Sequence, residues 1–342
     1  MRLSAPAVRI VDVETCDFAL MPRYDTAALL RASRPDDAER CLTSAVSRRL
    51  IAELGVEHRH LTHVPGTPPA TGRLTAFDLA RSAVLRMQAR RANELAHLDA
   101  LIFVSTSNPN PCNSQAALLA GELGLSGSCM DLKAGCSSGV LGLVQAALLI
   151  QAGCGRVLVV MAENLSQFTP AEDLRMLLTV GDGAACVLLE RAAGPGFSVM
   201  VHGTRAEFAG AMSVRTPFPP ASPEARYVYE FGDTRDTAAF LRAQWHAVFD
   251  ECLSLAGIER ADLAYALVHQ THVAQVSALA ADLGLGPERM PMVVDALGNM
   301  GTPTFAVALA RAHASLLPGQ RYLLQAVGGG VSWCGIVGEH VS

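Results

Sequence analysis

Short, almost wholly apolar runs alternate along the chain with longer segments of helical spacing. The runs at 98–105, 156–162 and 184–190 are bounded by polar residues, which predicts buried strands. Apolar residues recur at intervals of three and four over 75–91 and 114–124, which predicts amphipathic helices. Strands separated by helices are typical of a parallel or mixed sheet covered on both faces, so the pattern predicts an α/β fold.

The N-terminal part of the chain shows a different pattern of apolar and polar residues. Alternation within 1–20 predicts a strand, and helical spacing over 25–55 predicts a helical segment that stops at Gly55. A polar, proline-rich stretch over 56–72 predicts a loop before the first long helix.

The second half of the chain repeats the order of the first half. We therefore expect two halves, 1–191 and 192–342, related by a pseudo-twofold axis. The additional residues of the first half fall around 164–180, where we expect a surface loop. The matching segments are 98–104 with 261–268, 155–161 with 320–326, and 181–189 with 328–336.

A cysteine stands where a strand is expected to end and a helix to begin. Cys136 follows an apolar segment that closes on Gly135, and its neighbours are small residues. The unpaired N–H groups of a first helical turn, together with the helix dipole, favour a thiolate over a thiol. The position predicts a nucleophile, although this stretch alone leaves a buried structural cysteine as the alternative.

Two further polar residues occupy related positions. The repeat offset of 163 residues carries Cys136 onto Asn299, just ahead of a helix expected over 304–317. His269 ends the predicted strand 265–268, and the carboxyl ends of strands are where open α/β sheets form their sites. A pseudo-twofold axis would bring the helix ends at Cys136 and Asn299 towards a shared centre.

Composition narrows the possible functions. The chain has 342 residues, half of them hydrophobic, and a net charge of −5, which disfavours nucleic-acid and membrane-surface roles. No apolar run reaches the roughly 18 residues that span a bilayer, and no secretory signal is evident, so a cytoplasmic location is expected. The nine cysteines form no C-x-x-C pair, and His58, His60 and His63 lack further ligands nearby, so no metal site is expected.

Four ordered motifs resemble the β-ketoacyl-acyl carrier protein synthase III branch of the thiolase superfamily. The motifs are Gly-Cys136-Ser-Ser-Gly, Val-His269-Gln, Gly298-Asn299 and the glycine-rich C-terminal stretch 318–333. The resemblance implies a five-layered αβαβα thiolase fold, a homodimer and a catalytic triad of Cys136, His269 and Asn299. It implies no tightly bound cofactor, with acyl-CoA or an acyl-carrier (phosphopantetheine) thioester as substrate.

The chemistry implied by this resemblance assigns a role to each group. Cys136 would take an acyl group from a thioester, with its oxyanion held by backbone N–H groups of Cys136 and of the 328–330 turn, Gly330 among them. His269 and Asn299 would hold the enolate that forms when a malonyl thioester loses CO₂. That carbanion would then attack the acyl carbon on Cys136.

Several positions depart from the family pattern. Arg49 stands where the family has a tryptophan that stacks on a nucleotide, and Glu53 stands where it has an arginine. His-Gln-Ala-Asn reads His269-Gln-Thr-His272, and the helix that follows lacks lysine and arginine over 277–282. We therefore expect a donor other than free acetyl-CoA, and a place in specialised fatty acid or polyketide metabolism.

The same departures affect the expected partners. A carrier protein, if used, should dock away from the helix after His269, for example on Arg205, Arg215 or Arg226. Cys112 is expected to cap the acyl tunnel of the partner subunit, and the proline-rich segment 217–223 is expected at the subunit interface.

Three interpretations remain open at this point. The first is a condensing enzyme, because both Asn299 and His269 are kept. The second is an acyltransferase that moves the acyl group from Cys136 to a hydroxyl or amine. The third, a non-catalytic partner subunit, is disfavoured by the intact triad.

Overall fold

The computed structural model describes residues 7–68, 72–110, 112–214, 216, 227–231 and 235–341. The strands are β1 (Ala7–Thr15), β2 (Arg23–Asp25), β3 (His58–His60), β4 (Ala100–Val104), β5 (Ser128–Leu132), β6 (Arg156–Asn164), β7 (Asp182–Ala192), β8 (Phe197–Thr204), β9 (Met212–Ser213), β10 (Glu230–Phe231), β11 (Leu263–Val268), β12 (Arg321–Gly328) and β13 (Ser332–Glu339). The helices are α1 (Thr26–Ser33), α2 (Ala38–Thr43), α3 (Ala45–Leu54), α4 (Ala76–Leu95), α5 (Gln115–Leu123), α6 (Ser138–Gln151), α7 (Leu174–Thr179), α8 (Arg235–Ala256), α9 (Val273–Leu283), α10 (Val294–Leu297) and α11 (Thr304–His313).

Two mixed sheets carry the internal repeat. The first sheet has the strand order β1-β7-β6-β4-β5, and the second has the order β8-β13-β12-β11. β4 and β6 are parallel and β6 and β7 antiparallel, just as β11 and β12 are parallel and β12 and β13 antiparallel. The first four strands of one sheet thus correspond in order and direction to the four strands of the other.

The helices sandwich these two sheets. Helices α4 and α5 pack on the outer face of the first sheet, and α8 and α9 cover the outer face of the second. Helices α6 and α11 lie between the sheets and contact strands of both. This layering confirms the predicted five-layered αβαβα thiolase fold.

The central helix α6 is apolar on all sides because a sheet lies on either side of it. Its buried residues include Val140, Leu143, Val144, Ala147 and Ile150. Among the described residues, no helix combines the length and the apolar character that a membrane crossing requires.

The expectation of a surface loop around 164–180 is wrong. This segment forms a 3₁₀ turn over Leu165–Phe168 and then helix α7. Leu177, Leu178 and Val180 are buried in a cluster with residues of α1–α3. The apolar residues of the segment have a folded partner because 25–55 forms three short helices, rather than one continuous helix, and these wrap around it.

Candidate active site

The loop that carries Cys136 is pressed against the turn between β12 and β13. Gly135 has a φ of +67°, and a Cβ atom there would lie 1.9 Å from the Gly329 carbonyl oxygen. A Cβ atom at Gly328 would lie 2.6 Å from the Cβ of Cys136. Because real Cβ contacts are never this short, glycine at 135 and 328 lets the loop and the turn meet at the thiol.

The electrostatics of this thiol differ from the expectation. Burial raises the pKa of Cys136 to about 11, the negative charge of Glu163 adds to the rise, and the backbone N–H groups of Gly329 and Cys136 oppose it. The residue as a whole is partly exposed, but its sulfur lies among protein atoms. Burial of the sulfur and the charge of Glu163 therefore oppose the ionisation that the helix terminus is expected to favour.

His269 follows β11 directly and is almost completely buried. Its backbone N–H donates to the Gln325 carbonyl oxygen at 2.8 Å, which fixes the residue at the end of the strand. In the part of the chain that the structure describes, neither ring nitrogen has a partner that meets hydrogen-bonding geometry. Burial lowers the pKa of His269 to about 4, against a small opposing effect of the Gly301 backbone, so the imidazole is neutral at physiological pH.

The next residue, Gln270, ties the histidine strand to the segment that leads to Asn299. Its amide Nε2 donates to the Pro291 carbonyl oxygen at 2.8 Å. Its Oε1 accepts from the N–H groups of Val293 at 2.9 Å and Val294 at 3.1 Å. A buried side chain with this set of partners holds two distant parts of the chain in register.

Asn299 sits on a turn that is held by the N-terminal half. Its N–H donates to the Thr179 carbonyl oxygen at 2.7 Å, and its carbonyl oxygen accepts from Gly181 N–H at 2.9 Å. Gly298 has a φ of +73°, and a Cβ there would clash with the backbone carbonyl oxygens of Thr179 and Val180. The side-chain Oδ1 accepts from Gly301 N–H at 2.9 Å, which leaves the amide NH₂ able to donate.

The three segments that carry these residues meet. Gly139, in the first turn of the helix after Cys136, lies so close to the Asn299 turn that a Cβ would approach the Thr302 carbonyl oxygen to 2.3 Å. The backbone of Gly301, in the same turn, interacts with the imidazole ring of His269. A surface groove of about 630 Å³ beside β13 is lined by none of these residues.

Sequence reasoning missed two polar groups close to Cys136. Glu163, at the end of β6, is buried and accepts hydrogen bonds from Thr106 and Thr302. Tyr229 donates its backbone N–H to the Phe168 carbonyl oxygen at 2.8 Å, and its hydroxyl group interacts with Thr106. The carboxylate was detectable as the one acidic residue of β6, which is apolar except at its two ends, whereas nothing in the sequence near Tyr229 indicated its position.

The residues that depart from the family pattern lie together near the surface. Arg49 is exposed on α3, and Glu53 forms an exposed ion pair with Arg175 of α7 at 3.3 Å. His272 lies close to the charges of Glu53 and Arg175, and its Nδ1 forms a hydrogen bond with the Thr271 hydroxyl at 2.9 Å. Arg175 therefore balances the charge of Glu53, which the sequence alone did not reveal.

The arginines expected to receive a carrier protein are only partly described. Arg205 pairs with Glu207 at 3.3 Å and lies 5.1 Å above the ring of Phe240, so its charge is already engaged. Arg215 and Arg226 lie outside the described residues.

Solved structures with this fold cover nearly the whole chain. The 3-oxoacyl-(acyl carrier protein) synthase III of Pseudomonas aeruginosa superposes with a TM-score of 0.81 at 22% identity, covering 98% of this chain and 99% of that one. Xanthomonas campestris OleA superposes with a TM-score of 0.81 at 18% identity, covering 99% of each chain. The molecule is therefore a thiolase-fold protein.

Sequence comparison defines the family. The models for 3-oxoacyl-[acyl-carrier-protein] synthase III and for its C-terminal domain match residues 130–206 and 253–339. A β-ketoacyl-[acyl-carrier-protein] synthase III of Streptomyces coelicolor is 31% identical over 86% of this chain and 91% of its own length. One from Bordetella petrii is 30% identical over 83% and 85%. The chain belongs to the 3-oxoacyl-[acyl-carrier-protein] synthase III family and is a condensing acyltransferase.

Proposed function

We propose that the condensation proceeds on Cys136, with His269 and Asn299 as the donors that stabilise the enolate. One observation supports this assignment: the buried, neutral imidazole of His269 has no hydrogen-bond partner on either ring nitrogen among the described residues, and Asn299 accepts from Gly301 N–H through Oδ1, so that its NH₂ is the donor end of the amide. Preorganised donors of this kind stabilise a developing oxyanion. An acyl transfer to a hydroxyl or amine does not need both.

In the first half-reaction, the Cys136 sulfur attacks the thioester carbonyl and the C–S bond to the donor thiol breaks. The thiol is protonated at rest, so its proton is available for the departing thiolate, with neutral His269 as the carrier. The N–H groups of Cys136 and Gly329 lie at the sulfur and are the best-supported oxyanion donors. Gly330, which the sequence indicated, is the next residue of the same turn.

In the second half-reaction, a malonyl-type thioester loses CO₂ and its electron pair moves onto the thioester oxygen as an enolate. His269 and Asn299 hold that oxygen. The enolate carbon then attacks the acyl carbon on Cys136, and the C–S bond breaks to return the thiolate, which takes a proton from water. No redox partner is needed, since the carboxylate supplies the electrons for the new C–C bond.

Intact-protein mass spectrometry tests the first half-reaction. Incubation with a panel of acyl thioesters should add the mass of one acyl group, and peptide mapping should place it on Cys136. An adduct on any other cysteine would contradict the assignment.

We expect the preferred donor to differ from free acetyl-CoA. Arg49 offers no aromatic face for an adenine, and Arg175 is engaged with Glu53. The kcat/KM for acylation should therefore be at least about tenfold higher with a carrier-bound or longer acyl thioester. Equal or higher values with acetyl-CoA would contradict this expectation, and a Glu53→Gln variant would show whether the ion pair matters.

We propose a homodimer formed along β5. This strand is an edge of the first sheet, and its residues are exposed or only partly buried, which leaves a ladder able to pair with a second copy. Cys112 lies in the exposed loop before α5, and we propose, as the resemblance implies, that it caps the acyl tunnel of the partner subunit.

Sedimentation at micromolar concentration tests this assembly. We expect a dimer mass. A monomeric wild-type protein would contradict the proposal.

The remaining assignments are also proposals. The first sheet lies within 7–192 and the second within 197–339, which supports the division into halves 1–191 and 192–342. All nine cysteines are free thiols, which fits the reducing cytoplasm. The altered donor surface supports a role in specialised fatty acid or polyketide metabolism.

A further inference from the structure

We propose that Glu163 is a positioning residue that locks the Asn299 turn onto the Cys136 helix and places a negative charge behind the nucleophile. The inference rests on the proposed function, in which Cys136 and Asn299 act in successive steps and must keep a fixed separation.

The carboxylate of Glu163 is fully buried and surrounded by donors. It accepts from Thr106 N–H at 2.9 and 3.1 Å and from the Thr106 hydroxyl at 3.0 Å. It also accepts from the Ser105 hydroxyl at 3.3 Å and from the Ser107 hydroxyl. Burying a carboxylate is unfavourable unless such partners compensate, so this set of donors is a built site and not a chance contact.

One of these bonds crosses between the two halves. The Thr302 hydroxyl donates to Glu163 at 3.0 Å, and Thr302 lies three residues after Asn299. A Cβ at Gly301 would lie 3.3 Å from the Glu163 Cγ, so the backbone of the turn rests on this side chain. The other side of the turn contacts Gly139 of the Cys136 helix. The Asn299 turn is therefore packed between Glu163 and α6.

The charge of Glu163 also raises the pKa of the Cys136 thiol. The groups that act on the Cys136 sulfur are Glu163 from β6, Tyr229 from the segment before β10, and the N–H groups of Cys136 and Gly329. His269, from the end of β11, is neutral. Burial raises the pKa of Glu163 itself, and the hydrogen bonds from Ser107, Thr106 and Thr302 oppose that rise. In its ionised form, Glu163 opposes ionisation of the resting thiol. Protonated thiol resists alkylation and oxidation, and it retains the proton that the donor thiolate requires.

Glu163→Gln separates this charge from simple packing. We expect the rate of iodoacetamide alkylation at Cys136, measured by peptide mass spectrometry at pH 8, to rise about tenfold, because the thiolate fraction increases when the neighbouring charge is removed. Cys154, a partly buried thiol beyond the other end of α6, is the internal reference for reagent reactivity. CO₂ release from the acylated enzyme should fall at least about tenfold because the Asn299 turn loses its anchor.

Three variants serve as controls. Asp182→Asn removes another buried carboxylate, held by Thr62 and Ser166, that does not act on Cys136. It should leave the alkylation rate unchanged. Glu163→Asp keeps the charge and should keep the slow alkylation. Thr302→Val keeps the charge but removes the anchor, so it should slow CO₂ release without changing alkylation.

The inference is overturned if Glu163→Gln leaves Cys136 alkylation unchanged, or if Asp182→Asn raises it equally. If Glu163→Gln fails to fold, Thr302→Val decides: normal CO₂ release in that variant would overturn the positioning role. Failure of the proposed function has a different signature, since wild-type Cys136 would then accept no acyl group.

Discussion

Replacement of Cys136 by alanine should abolish the covalent acyl adduct and reduce condensation by at least about 10³-fold, because the thiol that carries the acyl group is then missing. The side chain packs against Gly328 without filling a large core volume, so the variant should fold normally. Intact-protein mass spectrometry after incubation with an acyl thioester measures the adduct directly.

Cys154→Ala is the matched control. Cys154 is a partly buried thiol at the other end of α6, away from the 328–330 turn. It should retain full acylation. Persistence of an adduct of the same mass in Cys136→Ala would contradict the assignment of Cys136 as the nucleophile.

Replacement of Asn299 should separate the two half-reactions. Asn299→Asp keeps an oxygen that can accept from Gly301 N–H, so the turn is preserved, but it replaces the NH₂ donor with a negative charge beside the enolate. We expect CO₂ release to fall by about 10²–10³-fold, the usual effect of losing one oxyanion donor, while acylation of Cys136 continues.

Asn93→Ala, on the exposed face of α4, controls for the loss of an asparagine elsewhere. It should leave both rates unchanged. A parallel loss of acylation and CO₂ release in Asn299→Asp would instead indicate that the whole site had collapsed.

Local patterns predicted most of the architecture. The strands β4, β6 and β7 and their repeats β11, β12 and β13 are short apolar runs, and such runs are recognisable without tertiary information. The same repeat offset led from Cys136 to Asn299, since both residues precede helices that lie between the sheets.

Features that depend on long-range packing were not predictable in the same way. Helix α7 is buried only because α1–α3 form a surface for it. In the sequence, Glu163 looks like an ordinary strand residue. Its contact with the other half becomes visible only through the hydrogen bond from Thr302. The pKa of Cys136 rises because the sulfur is buried and Glu163 is near it, and neither feature is visible in the sequence.

A single-turnover experiment tests the central claim most directly. Enzyme loaded with one acyl group on Cys136 is freed of donor and mixed with a malonyl thioester. Our account predicts equal amounts of CO₂, β-ketoacyl product and regenerated Cys136 thiol. Transfer of the acyl group to a hydroxyl or amine without CO₂, or CO₂ release with the acyl group still on Cys136, would contradict it.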